Sequence, residues 1–199
     1  RRRVAAGGDP LNYGVDFVVV RSNLHQVAEF CATAAHRFDG LGFVNFGAAV
    51  PSGAASGPGY AEHELLLNDQ LDELVDPAFV RRLSDLAPDT VRVRTSDNSV
   101  LLMHPAATAD GAGPRLMHVE PGGEVRAMPI YEGTVGSLLT DDPLEVWRRA
   151  VARWSDPFVV ETLTPIRSMT DWAEAVRRID LRFGTPEVLT RISARPEFR

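Results

Sequence analysis

Two strand-like runs bracket one amphipathic segment early in the chain, and this order constrains the fold more than any other feature. Residues 15–20 read Val-Asp-Phe-Val-Val-Val, a β-branched and aromatic run of the kind buried on both faces of a sheet. Leu24, Val27, Ala28, Cys31, Ala34, Ala35 and Phe38 then recur at helical spacing, which gives one apolar helix face. Asn23 stands where an N-cap belongs, Gln26 is placed to reach back to it, and Gly40 supplies a stop. Leu41 to Phe46 form a second strand run, followed by the loop Val50-Pro51-Ser52-Gly53. Strand, helix and strand in this order predict a right-handed parallel crossover.

Residues 1–8 read as the tail of a helix with a glycine stop, so the chain is expected to begin in mid-element. Residues 52–59 are rich in Gly and Ser and are expected to be a surface loop. Helices are expected over 68–75 and from Asp76-Pro77 onward, where Asp caps and Pro fills the first turn. Val91 and Val93 alternate with Arg92 and Arg94 as in a half-exposed strand, and Ser99 to Met103 is placed to pair with it. Pro121-Gly122-Gly123 between residues 116–120 and 124–128 signals a hairpin, after a Gly/Ala/Pro loop over 105–114. Asp142-Pro143 opens a helix with Leu144, Trp147, Val151 and Trp154 on one face. Thr170 is expected to cap another that Gly184 stops, and Thr185-Pro186 opens the last.

The 199 residues include one cysteine, which excludes an internal disulfide and suits a reducing cytoplasm. Every one of the 21 basic residues is Arg, a bias typical of a GC-rich bacterial genome. A net charge of −6 with scattered arginines argues against a nucleic-acid surface. No apolar run has the length of a membrane span and no signal-peptide pattern opens the chain, so neither a membrane nor secretion is expected.

Residues 4–53 resemble the last two β/α units of the partial barrel of radical SAM enzymes. The motif runs from a glycine-terminated helix through Val18-Val19-Val20 and Asn23 to Phe43-Val44-Asn45-Phe46 and Pro51-Ser52-Gly53. Residues 115–150 are similar to the SPASM or twitch extension of peptide-modifying maturases. They offer the hairpin Val119-Glu120-Pro121-Gly122-Gly123-Glu124-Val125, the step Gly136-Ser137-Leu138 and the helix Leu144-Glu145-Val146-Trp147. The implied fold is α/β. The end of a partial (β/α)6 barrel would occupy 1–53, linking elements 54–114, and a small α+β extension with a hairpin and C-terminal helices 115–199.

The resemblance implies reductive cleavage of S-adenosylmethionine at a [4Fe–4S] cluster and hydrogen abstraction from a peptide side chain. This chain would supply one wall of the cofactor pocket and part of the substrate cavity. It departs from the family in its cysteines. The Cys-x3-Cys-x2-Cys triplet is absent, and Arg126-Ala127-Met128-Pro129 carries Met where the extension has Cys. A cluster needs several thiolates, so one cysteine cannot hold it. The expected partner is therefore the missing N-terminal half of the barrel, with a peptide as substrate. The alternatives are a non-catalytic scaffold that binds a peptide or protein, and a truncated product without function.

Cys31 lies on an apolar stripe and reads as a buried thiol. His25, His36, His63, His104 and His118 show no metal-ligand spacing, and no metal site is expected. Ser52 is not in a nucleophile elbow, and the Gly-rich stretch 53–59 is not a phosphate loop. Asn45 interrupts an apolar strand near its C-terminal end, where α/β sheets place ligands. By the resemblance this strand lies against adenine, so Val44, Asn45 and Phe46 are cofactor-binding candidates, with Arg21 and Asn23 at the equivalent end of the earlier strand. Asp97, Tyr131 and Glu132, with Glu120, are candidates for substrate contact; no catalytic residue is assigned.

Overall fold

The computed structural model describes residues 12–109 and 116–194. The helix tail expected over 1–8 lies outside these residues, as does part of the 105–114 loop. The fold is mixed α/β, and the chain forms two compact units that do not follow chain order. Among the described residues, one joins 12–48 with 69–97, and the other joins 49–68 with 98–109 and 116–194.

In the first unit, β1 (Tyr13–Val19), β2 (Leu41–Ala48) and β3 (Arg92–Ser96) form a sheet in that order, all parallel. Helix α1 (Val27–Arg37) connects β1 to β2; α3 (Asn68–Val75) and α4 (Pro77–Leu86) precede β3. The expected order of strand, helix and parallel strand is present. Alternation along the strands sends Val19, Val44 and Phe46 to one face, where they meet Val27, Cys31 and Ala34 of α1 in a buried layer. Phe17, Phe30 and Phe46 pack there with ring centroids 5.0–6.0 Å apart. Each such pair adds about 0.5–1.5 kcal/mol beyond burial alone. Leu74, Phe79 and Leu83 of α3 and α4 are buried as well, and α4 packs against α1 and β3.

The first strand is not buried on both faces. Asp16 is exposed and Val18 is 60% exposed, because α1 and α4 pack together on one side of the sheet. A charge in the middle of the run was the signal against double burial. Asn23 does not cap α1 either. The chain makes a 3-10 turn over Leu24–Gln26, and the Asn23 side chain turns back to β1 instead.

In the second unit, β4 (His118–Val119), β5 (Glu124–Arg126) and β6 (Thr134–Ser137) form an antiparallel sheet, with the expected hairpin at Pro121–Gly123. Gly123 sits at φ +87°, a conformation that costs an L side chain about 1–2 kcal/mol. Val125, Ala127, Val135, Val146 and Ala150 make the core beside this sheet, with Met117, Leu138 and Trp154 against it. Before it, α2 (Pro58–His63) and α5 (Pro105–Thr108) are short; after it come α6 (Pro143–Arg153), α7 (Pro157–Leu163), α8 (Met169–Phe183) and α9 (Pro186–Ser193).

Five of the described helices share one opening device, among them α5, where His104 Nδ1 accepts the Ala106 N–H ahead of Pro105. Asp76, Asp142, Asp156 and Thr185 each accept a backbone N–H and are followed by Pro, which lacks the N–H that a first turn cannot satisfy. Four local expectations are corrected. Residues 52–59 are a 3-10 turn over Gly53–Ser56 followed by α2, which Pro58 starts. Residues Ser99–Leu102 form a 3-10 turn rather than a strand, flanked by left-handed Asn98 and Met103. Ser168, not Thr170, caps α8, accepting the Asp171 N–H at 3.1 Å. On α6 the buried face is Val146 and Ala150, while Leu144 and Val151 are exposed. Among the described residues no helix is long and apolar enough to cross a membrane.

Candidate functional site

Among the described residues of the first unit, the sheet face opposite α1 carries a row of polar side chains. Register places Asp16 beside Asn45 and Asn45 beside Arg94, one residue from each strand in a single row. Side chains in register on neighbouring strands stand about 4.8 Å apart, within reach of a hydrogen bond. Asn45 Nδ2 donates to Asp16 Oδ1 at 2.7 Å, so the amide is oriented and its carbonyl oxygen is directed away from the carboxylate. The neighbouring row is Gly14, Phe43 and Arg92, and the Phe43 ring lies directly on Gly14, where a Cβ would collide with it. The face therefore combines one carboxylate, one amide, one aromatic ring and two guanidinium groups.

Val44 and Phe46 are fully buried on the opposite face. Only their backbone is available to a ligand on the polar face, and register within β2 already pairs that backbone with β1 and β3. Asn23 accepts the Val20 N–H at 2.8 Å and donates to the Val18 carbonyl at 3.0 Å. Its side chain thus braces the end of β1, with both functional groups engaged. Arg21 is half-buried just past β1, and Asp97 follows β3. Since the strands are parallel, both lie along the C-terminal edge of the sheet, on either side of β2.

Tyr131 and Glu132 belong to the second unit, Tyr131 buried in it and Glu132 half-buried. Tyr131 is 3% exposed; its hydroxyl donates to the Leu102 carbonyl at 2.8 Å and accepts from Trp172 Nε1 at 3.0 Å. Burial holds its phenol well above the ordinary range, the Trp172 bond opposes this, and the nearby Asp180 charge adds to it. The phenol therefore stays protonated and serves as a hydrogen-bond relay. The Glu132 backbone N–H donates to Asp180 Oδ1 at 2.8 Å, and its carboxylate pairs with Arg191 at 2.5 Å and Arg126 at 3.7 Å. Arg126 also pairs with Glu120, which lies 3.6 Å from His118. Glu120, Tyr131 and Glu132 thus each have partners within the second unit.

Sequence reasoning missed Asp16, Arg94, Trp172, Asp180 and Arg126. Asp180 had a readable signal. It is a carboxylate one residue beyond Ile179 on the stripe of Trp172 and Val176, where a charge has to find a buried partner.

Cys31 is buried on α1 and burial pushes its thiol up to about 11, the opposite of what a metal-binding or nucleophilic thiolate needs. Among the described residues no three His, Cys, Asp or Glu side chains come together as a metal site. The residues present do not fit an iron–sulfur cluster. Compared with protein-family models, with curated proteins and with solved structures, the chain has no match.

Proposed function

We propose that the first unit is the closing part of a partial (β/α)6 barrel and offers the polar row around Asn45 to S-adenosylmethionine in a radical SAM-type peptide-modifying enzyme. The observation that supports this reading is the sheet itself. Three parallel strands stand in sequential order, their helices pack on one face, and the opposite face carries Asp16, Asn45 and Arg94. Successive β/α units of a barrel have this order, with the uncovered face turned to the lumen.

The bound cluster would supply the electron for cleavage of the cofactor, and its ligands would lie outside this chain. What this chain would do is narrower. Asn45, held by Asp16, would present an oriented amide to the ligand, while Phe43 would supply apolar surface beside it. Arg21 and Asp97 would flank the same strand ends.

The test compares this chain alone with a longer protein in which it is fused to an upstream half-barrel carrying the cluster cysteines. Calorimetry with S-adenosylmethionine is expected to show little binding to residues 1–199 alone, because small-ligand affinity depends on an enclosed site. Binding is expected in the longer protein after anaerobic iron and sulfide reconstitution. There Asn45→Leu should weaken it by about 1–3 kcal/mol, the cost of removing a buried hydrogen-bond partner. A longer protein that binds no S-adenosylmethionine, or one indifferent to Asn45→Leu, would overturn the reading.

A further inference from the structure

A groove of about 470 Å³ lies in the second unit, lined by Thr134 and Val135 of β6, Arg149 and Arg153 of α6, Asp156 and Phe183. Its two arginines are in different states. Arg149 is engaged by Asp141 at 3.6 Å and Glu145 at 3.2 Å. Arg153 has no carboxylate within ion-pair distance among the described residues; its hydrogen bond is a long one, 3.4 Å, to the Thr134 carbonyl. A guanidinium has five N–H donors, so most of its capacity is unspent.

Arg153 is also held in place. Its guanidinium carbon sits 3.9 Å from the centroid of the Phe183 ring, and Arg182 approaches the same ring at 5.9 Å. Stacking uses the flat face of the guanidinium and leaves the in-plane N–H groups pointing outward as a fork. That is the arrangement that grips a carboxylate with two parallel hydrogen bonds. Burial also lowers the Arg153 pKa, with Asp156 opposing, so the charge is partly stripped of water and has more to gain from an anion.

We infer that this groove binds a monoanionic carboxylate attached to an apolar group, with Arg153 as the anchor and Phe183 and Val135 as the apolar walls. A single charge is favoured over a dianion because Asp156 lines the groove and Asp141 and Glu145 stand beside Arg149. Asp156, Asp141 and Glu145 offset the charges of Arg149, Arg153 and Arg182, so the groove has no surplus of positive charge to hold a second negative one. The inference concerns the second unit only and stands whether or not the first unit binds S-adenosylmethionine.

The probe is N-acetylphenylalanine, compared with its C-terminal amide and with inorganic phosphate, each titrated into the isotope-labelled full chain. The signals followed are the Nε–H group of Arg153 and the backbone amides of Thr134, Val135 and Phe183. The carboxylate is expected to move these signals saturably, and the amide to bind roughly tenfold or more weakly, the cost of losing a charge-assisted pair. Arg153→Gln should weaken binding by a similar factor and Arg153→Lys by less, since lysine keeps the charge but not the fork. The acid–amide comparison uses the unaltered chain, so a misfolded variant cannot imitate it. Equal affinity for acid and amide, or no saturable shift at these signals, would overturn the site. Tighter binding of phosphate than of the carboxylate would overturn the monoanion assignment.

Discussion

Trp172 Nε1 donates to the Tyr131 hydroxyl at 3.0 Å inside the second unit, and that hydroxyl donates in turn to the Leu102 carbonyl at 2.8 Å. One hydroxyl therefore satisfies an indole from α8 and a backbone carbonyl from the turn at 99–102. Tyr131→Phe would strip both of a partner while leaving the ring packing intact. A loss of about 2 kcal/mol in unfolding free energy is expected, since a buried group left without its partner costs about 1–3 kcal/mol. Urea denaturation with an unchanged m-value checks this; a cost below about 0.5 kcal/mol would mean that water replaces the hydroxyl.

Gly133 is constrained from two directions. Its φ is +92°, and an added Cβ would stand 2.6 Å from both the Cβ and the carbonyl oxygen of Phe183. Gly133→Ala combines left-handed strain of about 1–2 kcal/mol with a backbone collision that no rotamer relieves. The expected destabilisation is about 3 kcal/mol or more, read as a lower melting temperature in calorimetry. Gly53, also at positive φ but with open space where its Cβ would be, is the control; Gly53→Ala should cost only the strain.

Cys31 gives a pH dependence whose sign is fixed by burial. The folded chain holds the thiol proton up to about 11, against an ordinary value of 9.0. The stability this contributes is complete below pH 9 and is lost as pH rises from 9 to 11, because the unfolded chain releases its proton first. Alkylation by iodoacetamide at pH 8 should be much slower in the native chain than in urea. Equal rates would place the thiol at the surface.

Much of the first unit was legible because its signals are local. The apolar period of 27–34, the Asp76-Pro77 start and the alternation at 91–94 each report on their own segment. What could not be read were properties set by distant residues. Asn23 has the composition of a cap, yet its amide is taken by Val18 and Val20, because the 3-10 turn brings those groups nearer than the first turn of α1. Thr170 and Ser168 are both suitable caps, and the choice fell to the one whose oxygen reaches Asp171. The Asp16–Asn45 bond needed the register of two strands, whereas Asp180 facing the interior was visible in the period of its helix. The groove at Arg153 depends on Phe183, thirty positions away in sequence, which no motif connects to it.

The division of the chain into two discontinuous units has a consequence for its synthesis. β2 ends at Ala48, but its second neighbour, β3, is not complete until Ser96. At a synthesis rate of roughly 5–20 residues per second, one side of β2 stands unpaired on the ribosome for several seconds. An apolar strand with an open edge is a template for pairing with another chain. The nascent protein therefore passes through a window in which β2 itself is an edge strand, a position that β3 takes in the finished sheet, and slower translation between residues 49 and 96 would widen it.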